Sequence, residues 1–223
     1  MADKDISRRR FLGGAGVAAA SVGALAVGGQ AVAFGITGDA GHIRPPGAKD
    51  EADFSARCIR CGKCVQACPY ESIKPVRSLL DSATGTPYIE ARSRACRMCA
   101  DVPCVPVCPT GALRDVEEPE QIKMGYAVIL EDLCIAYAGM RCEVCYRACP
   151  LIDQAITIDY REREDDAIHL IFAPVIHDDI CTGCGWCVER CVTDTPSIAI
   201  VRTLEEAEAM REEHRNMEKV RNY

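Results

Sequence analysis

All sixteen cysteines of this 223-residue chain fall into four short runs, and thiolates grouped so tightly are ligands for a soft metal centre. The first run is Cys58, Cys61, Cys64 and Cys68, followed by Pro69; the second is Cys96, Cys99, Cys104 and Cys108, followed by Pro109. The third is Cys134, Cys142, Cys145 and Cys149, followed by Pro150, and the fourth is Cys181, Cys184, Cys187 and Cys191, followed by Val192. Three cysteines spaced by two residues let one tight loop wrap a cubane and point three sulfurs inward. The fourth, three residues on, starts the chain away from it, and in two-cluster ferredoxins that fourth thiolate ligates the partner cluster. Quartets therefore work in pairs, and the pattern predicts four 4Fe-4S clusters ligated by these sixteen cysteines. An exported protein with an even cysteine count also suits a disulfide framework, but disulfides give no reason for four near-identical quartets. A zinc ribbon needs two Cys-x2-Cys pairs and leaves the third closely spaced cysteine superfluous.

Which quartets pair is open at this level. Pairing in sequence order is the simplest. Nested pairing, second with third and first with fourth, is suggested by the four-residue gap in the second quartet and by a hairpin-like run from Ala112 to Leu133. It is the arrangement favoured here, and it is reminiscent of the iron–sulfur subunits of molybdenum oxidoreductases.

The elements between the quartets must hold these loops. A β-prone run follows each quartet: Ser72–Val76, Ala112–Val116, Ala155–Tyr160 and Ser197–Val201. Another precedes the second, third and fourth: Pro87–Ala91, Tyr126–Leu130 and Ile168–Phe172. Several alternate apolar and polar residues as half-buried strands do. The expected architecture is α+β: two ferredoxin-like two-cluster units over residues 50–202, repeating strand, cluster loop with short helix, and strand. A C-terminal helix over 203–223 follows, opened by a Thr203/Glu206 capping box, with Leu204, Ala207, Met210, His214 and Met217 on one face. It is expected to lie on its own domain.

Residues 1–38 read as an export signal. Ser7-Arg8-Arg9-Arg10-Phe11-Leu12 precedes an uncharged run from Gly13 to Gly38, with a candidate cleavage site at Ala31-Val32-Ala33. Eight glycines in that run disfavour a membrane-spanning helix, although its length would suffice. The twin-arginine export machinery moves proteins already folded, as cofactor-loaded proteins must be, so the expected location is the periplasm.

Composition agrees and excludes other classes. Only 12 of the residues are Phe, Tyr or Trp, too few to fill an interior of this size by themselves. The net charge of −7 argues against nucleic acid as a partner. Sixteen thiolates around four 2+ cores would take it to about −15; Arg57, Arg60, Lys63, Arg94, Arg97, Arg141, Arg147 and Arg190, all beside quartets, are candidates to offset this locally. Gly62, Gly183 and Gly185 could bring backbone N–H groups close to sulfur, and Trp186, the only tryptophan, could shield the fourth loop. His42, His169, His177 and His214 have no metal-ligand spacing, and no catalytic triad, phosphate-binding loop or dinucleotide motif occurs. The chain reads as an electron carrier without a substrate site.

The residues resemble the NapG/MauM ferredoxin-type family. The resemblance rests on the twin-arginine start, the order of the quartets, the string Gly85-Thr86-Pro87-Tyr88-Ile89-Glu90-Ala91-Arg92, the seven-residue gap after Cys134 with Arg141–Pro150, and Cys191–Ile198. It runs from about Ser7 to Val201 and leaves the tail uncovered. It implies a relay of electrons in periplasmic nitrate reduction or methylamine oxidation, between a membrane-bound quinol-oxidising iron–sulfur protein and a redox acceptor protein. The alternative is an electron-transfer subunit of a molybdenum-dependent oxidoreductase.

Overall fold

The computed structural model describes residues 41–78, 81–116, 122–163 and 168–221. The export signal expected over 1–38 lies outside them. No described helix is long and apolar enough to cross a membrane.

The N-terminal half carries helices α1 (Glu51–Arg57) and α2 (Lys63–Ala67) and strands β1 (Ile73–Pro75) and β2 (Pro87–Ile89). The C-terminal half carries β3 (Tyr126–Ile129), a 3-10 turn at Glu131–Leu133, α3 (Val144–Ala148), β4 (Ile156–Glu162), β5 (Leu170–Ile176), α4 (Trp186–Arg190) and β6 (Ile198–Val201). Helix α5 (Leu204–Arg221) closes the chain.

Three antiparallel ribbons organise these pieces. β1 pairs with β2 in the register Ile73↔Ile89, and β4 with β5 from Ile156↔Ile176 to Glu162↔Leu170. β3 pairs with β6, Tyr126↔Val201 to Ile129↔Ile198, and thereby closes the C-terminal half over a long loop. The expected strand at Ala112–Val116 does not form, so the expected hairpin to Leu133 lacks its first arm. Instead the Arg114 N–H donates to Gly47 O at 3.0 Å, so this run meets the chain that enters the first half, while β3 takes β6 as its partner. The other six β-prone runs each overlap a strand, β4 and β5 extending past the expected ends to Glu162 and Ile176.

Helices α2, α3 and α4 have only five residues each, too short to hold by themselves in water. Each begins inside a cysteine loop and ends on its fourth cysteine: Cys68, Cys149 and Cys191 are the C-caps, all extended, with ψ between 109° and 132°. Before Pro69 and Pro150 that conformation is the one proline enforces on its predecessor. Cys191 adopts it before Val192 as well, so the missing proline leaves the backbone at the cap unchanged. The second quartet, with its longer gap, makes turns rather than a helix.

One apolar cluster runs through both halves, joining Phe54, Ile73, Ile89, Leu113, Ile156, Val188 and Ile198 with buried cysteines such as Cys96, Cys104, Cys145 and Cys184. Arg44, 5% exposed, pins the entering chain to this core. It donates to Glu51 and Thr86 at 2.8 Å and to Pro87 O at 3.0 Å, with its guanidinium 4.7 Å above the Phe54 ring.

α5 lies on its own domain, as expected. Ala207 is fully buried against Val128 and Leu130, the Arg211 guanidinium bridges both oxygens of Asp178 at 2.7 and 2.8 Å, and His214 meets Asp132. The capping box is formed in both directions: Glu206 N–H to Thr203 Oγ1 and Thr203 N–H to Glu206 Oε2, each 3.1 Å. Thr203→Ala should cost about 1 kcal/mol, measured as a lower denaturation midpoint and faster amide exchange at the start of α5. The Ala207 and Arg211 contacts keep the helix docked.

Candidate metal centres

The tertiary structure gathers the sixteen cysteines around four cavities, and no cavity takes all of its cysteines from one quartet. Cavity I is lined by Cys58, Cys61, Cys64 and Cys108, and cavity II by Cys96, Cys99, Cys104 and Cys68. Cavity III is lined by Cys134, Cys142, Cys145 and Cys191, and cavity IV by Cys181, Cys184, Cys187 and Cys149. Each therefore has three thiols from one quartet and the fourth from its partner. The first quartet pairs with the second and the third with the fourth, which overturns the nested arrangement favoured from sequence. The reason is topological. β1–β2 and β4–β5 are short returns inside each half, so each fourth cysteine is delivered across its own half, and the Ala112–Leu133 hairpin that would have linked the second and third quartets lacks its first arm.

The donor set fits a cubane. All sixteen thiols are free of disulfides. They surround spaces of about 320 to 410 Å³ each, counted to the open mouth, with apolar walls such as Pro87, Ala112 and Leu113 at cavity I and Ile156, Ile176 and Ile200 at cavity IV. Among the described residues, no three or more His, Cys, Asp or Glu side chains close on a single-ion position. Four thiols line each space instead.

Electrostatics point the same way. Burial pushes the Cys64 and Cys149 thiols up to about 11 and those of Cys96, Cys104 and Cys145 up to about 12. Neighbouring thiolates push in the same direction, while backbone N–H groups pull back. Cys187 is raised well above the ordinary thiol range, again by burial first and then by its neighbours. Such sites ionise only around a positive core. At Cys108 and Cys191 burial also pushes upward, but hydrogen bonds to sulfur outweigh it and the net direction is downward. Backbone N–H groups of Ser72, Leu113 and Ser197 each reach the sulfur of a fourth cysteine (Cys68, Cys108 and Cys191 respectively) at 3.4 Å. Arg97 lines cavity II and its Nη1 is buried without a hydrogen-bond partner, a cation beside four thiolates.

The four cavities form a row. The exchanged fourth cysteines, Cys68 and Cys108 between I and II and Cys149 and Cys191 between III and IV, make each of these pairs neighbours, and Cys96 of II meets Cys184 of IV. The order is I, II, IV, III. Its central joint is bonded through the backbone, Cys96 N–H donating to Cys184 O at 3.0 Å, and Trp186 Nε1 donates to Cys96 O at 2.8 Å under the Arg97 guanidinium, 4.4 Å from the ring. Trp186 thus both lines cavity IV and ties it to cavity II. Arg92 crosses the same joint to the carbonyls of Val188, Cys191 and Thr193 at 2.8 to 3.2 Å, and Glu189 answers with Ala95 N–H at 2.7 Å and Arg97 at 2.8 Å.

Two glycines matter here for close approach rather than for sulfur contact. Gly185, at φ +86°, would press a Cβ to 2.5 Å from Ala91 Cβ across the joint, and Gly183, at φ +71°, would bring one to 2.5 Å from the Gly125 carbonyl. Gly62 only starts α2, at φ +73°.

Five of the eight basic residues beside quartets answer carboxylates: Arg57 meets Asp53, Arg94 meets Glu71, Arg97 meets Glu189, and Arg141 and Arg147 share Glu143. His42 and His177 bond Asp81 and Thr157 and line none of the four cavities. Sequence reasoning missed Arg92 and Glu189, which have no motif of their own. It also missed Thr193 and Ser197, although Thr193 stands two residues past Cys191 as Thr110 stands two past Cys108.

Comparison with known proteins agrees with this arrangement. The 4Fe-4S dicluster domain family matches residues 57–112 and 140–195, each match holding all or most of two consecutive quartets. The ferredoxin-type protein NapG of Escherichia coli (strain K12) is 43% identical over 201 residues, 87% of this chain and 85% of its own. The methylamine utilization ferredoxin-type protein MauM of Paracoccus denitrificans is 40% identical over 190 residues, 82% and 84% of the two chains. NapG of Haemophilus influenzae is 46% identical over 162 residues, 71% and 58%. No solved structure matches.

Proposed function

The chain belongs to the NapG/MauM family of ferredoxin-type iron–sulfur electron-transfer proteins, with four 4Fe-4S clusters in two dicluster domains, and from that premise we propose that it is a two-ended relay in a periplasmic respiratory chain. All sixteen cysteines are the ligands, three from one quartet and one from its partner at each cluster. Electrons come from a membrane-bound quinol-oxidising iron–sulfur protein and leave toward periplasmic nitrate reductase through a redox acceptor. The Ser7–Leu12 motif supports export of the folded, loaded chain by the twin-arginine route.

The observation that carries this reading is the unbroken row of four four-thiol cavities, I, II, IV, III. When bound, each cluster supplies one-electron chemistry at a potential set by its surroundings. The chain supplies the rest. Its loops fix the thiolates, its apolar walls exclude water, and backbone N–H groups on the fourth cysteines stabilise added negative charge. At the row's centre, the Cys96–Cys184 hydrogen bond and the Trp186 indole hold cavities II and IV together. The molybdenum-oxidoreductase alternative loses the nested pairing that suggested it.

Protein purified without oxygen should contain about sixteen iron and sixteen sulfide per chain, and should be reduced by quinol only when the membrane partner is present. Stoichiometric zinc or eight disulfides would sink the reading, and copurification with a large molybdenum subunit would favour the alternative.

A further inference from the structure

The exit from cavity III differs from the other three. After Cys68, Cys108 and Cys149 the chain turns through a proline; after Cys191 it runs Val192-Thr193-Asp194-Thr195-Pro196-Ser197 before β6. This loop folds back over the sulfur it has just left. Thr193 Oγ1 lies 3.0 Å from Cys191 Sγ, Ser197 Oγ lies 3.4 Å from it, and the Ser197 N–H reaches it at 3.4 Å. A thiolate bound to iron has no proton, so both hydroxyls must be donors to it. Neither is engaged elsewhere among the described residues, and Ser197 is 4% exposed, so water does not compete for its proton.

The other fourth cysteines lack a close hydroxyl. Cys68 receives the Ser72 N–H, Cys149 the Leu151 N–H, and Cys108 the N–H groups of Thr110, Ala112 and Leu113 with the Thr110 hydroxyl only at 3.8 Å. In cavity IV, the neighbour of III in the row, the hydroxyl near Cys184 is that of Thr182, which hydrogen-bonds Met98 Sδ at 3.3 Å. Cavity III thus has two hydroxyls and an amide on one sulfur, where IV has amides on Cys149 and Cys184 but a single hydroxyl, shared with a thioether.

Hydrogen bonds to cluster sulfur favour the more negative, reduced state and raise the potential. Resting on the relay reading above, we propose that Thr193 and Ser197 make the cluster of cavity III the more readily reduced of the C-terminal pair. An electron reaching cavity IV is then drawn outward: the cluster at IV returns from the 1+ to the 2+ core as the one at III goes from 2+ to 1+. The electron exits where Cys191 stands. Thr193 and Ser197 are positioning residues, acting through the Cys191 thiolate.

Anaerobic titration with dithionite and mediators, followed by electron paramagnetic resonance, tests this on the holoprotein and on Thr193→Val/Ser197→Ala. The expected result is that one of four reduction waves moves to more negative potential while three waves and the iron content stay unchanged. Thr193→Ser, which keeps the hydroxyl, should titrate like the parent. Full iron with no wave displaced would overturn the proposal, as would a displacement shared by all four waves or a Thr193→Ser shift equal to that of Thr193→Val. Should the double variant lose iron, the near-isosteric Thr193→Val is read alone, a negative shift of one wave supporting the proposal and an unmoved titration overturning it. A parent protein with fewer than four reducible clusters would instead overturn the relay reading, whatever the variants show.

Discussion

Anaerobic chelation of iron is expected to abolish the native far-ultraviolet circular dichroism of both halves together. The reason lies in what remains when the clusters are gone. Among the described residues the largest fully buried side chains are Phe54 and Val128, and after them come Pro45, Pro174 and Ser72. The helices inside the cysteine loops have five residues each, and isolated two-stranded ribbons are marginal in water. Structural metal sites contribute on the order of 10 kcal/mol to folding, comparable to the whole net stability of a domain, about 5–15 kcal/mol. Four clusters sit at the centre of the apolar cluster that joins the halves, and their loss leaves sixteen thiols facing one another across voids. Chelator-treated protein should therefore expose its backbone amides to rapid exchange from residue 41 onward, with α5 retaining at most residual helicity. Retention of the native spectrum after complete iron loss would contradict this account of the interior.

The second large effect follows from the pairing. Cys149→Ala should remove the cluster of cavity IV although Cys149 belongs to the third quartet, lowering iron from about sixteen to about twelve per chain. Adding Cys184→Ala should remove nothing more, because both thiols serve one cluster; the double variant stays near twelve. Under nested pairing Cys149 and Cys184 would serve different clusters and the double variant would fall to about eight. The kinetic consequence is as specific. Cavity IV stands between II and III, so the cluster at III should lose its connection to cavities I and II in Cys149→Ala. In Cys191→Ala, which removes an end of the row, electrons should still pass from I to IV. Rapid-freeze reduction kinetics read by paramagnetic resonance would separate the two variants, and equal behaviour would refute the order I, II, IV, III.

These expectations show how differently the parts of this protein are written in its sequence. The cysteine loops are local: three thiols within a few residues and a fourth just beyond define a wrapped loop whatever the rest of the chain does, and the type of centre and the number of clusters follow. The capping box at Thr203 and Glu206 is local too, and was legible from four residues. The strands were legible where the pattern alternated, at six of the seven runs; Ala112–Val116 has the composition of a strand, but its neighbour in space is the segment around Gly47, and one hydrogen bond from Arg114 does not make a ladder.

Pairing, order and the unequal treatment of the sulfurs belong to tertiary structure. A fourth cysteine carries no mark of which loop it will complete; that depends on β3 choosing β6 and on the short returns β1–β2 and β4–β5, all contacts between residues distant in sequence. The joint between cavities II and IV likewise depends on Arg92 meeting the Val188 carbonyl and Glu189 the Ala95 N–H, each across almost a hundred positions, and Thr193 and Ser197 acquire a role only because their loop folds back onto Cys191. The sequence by itself determined that there are four cubane sites, because ligand spacing is short-range geometry. Only the fold decided that they form a line with distinguishable ends, because distances between clusters are set by packing.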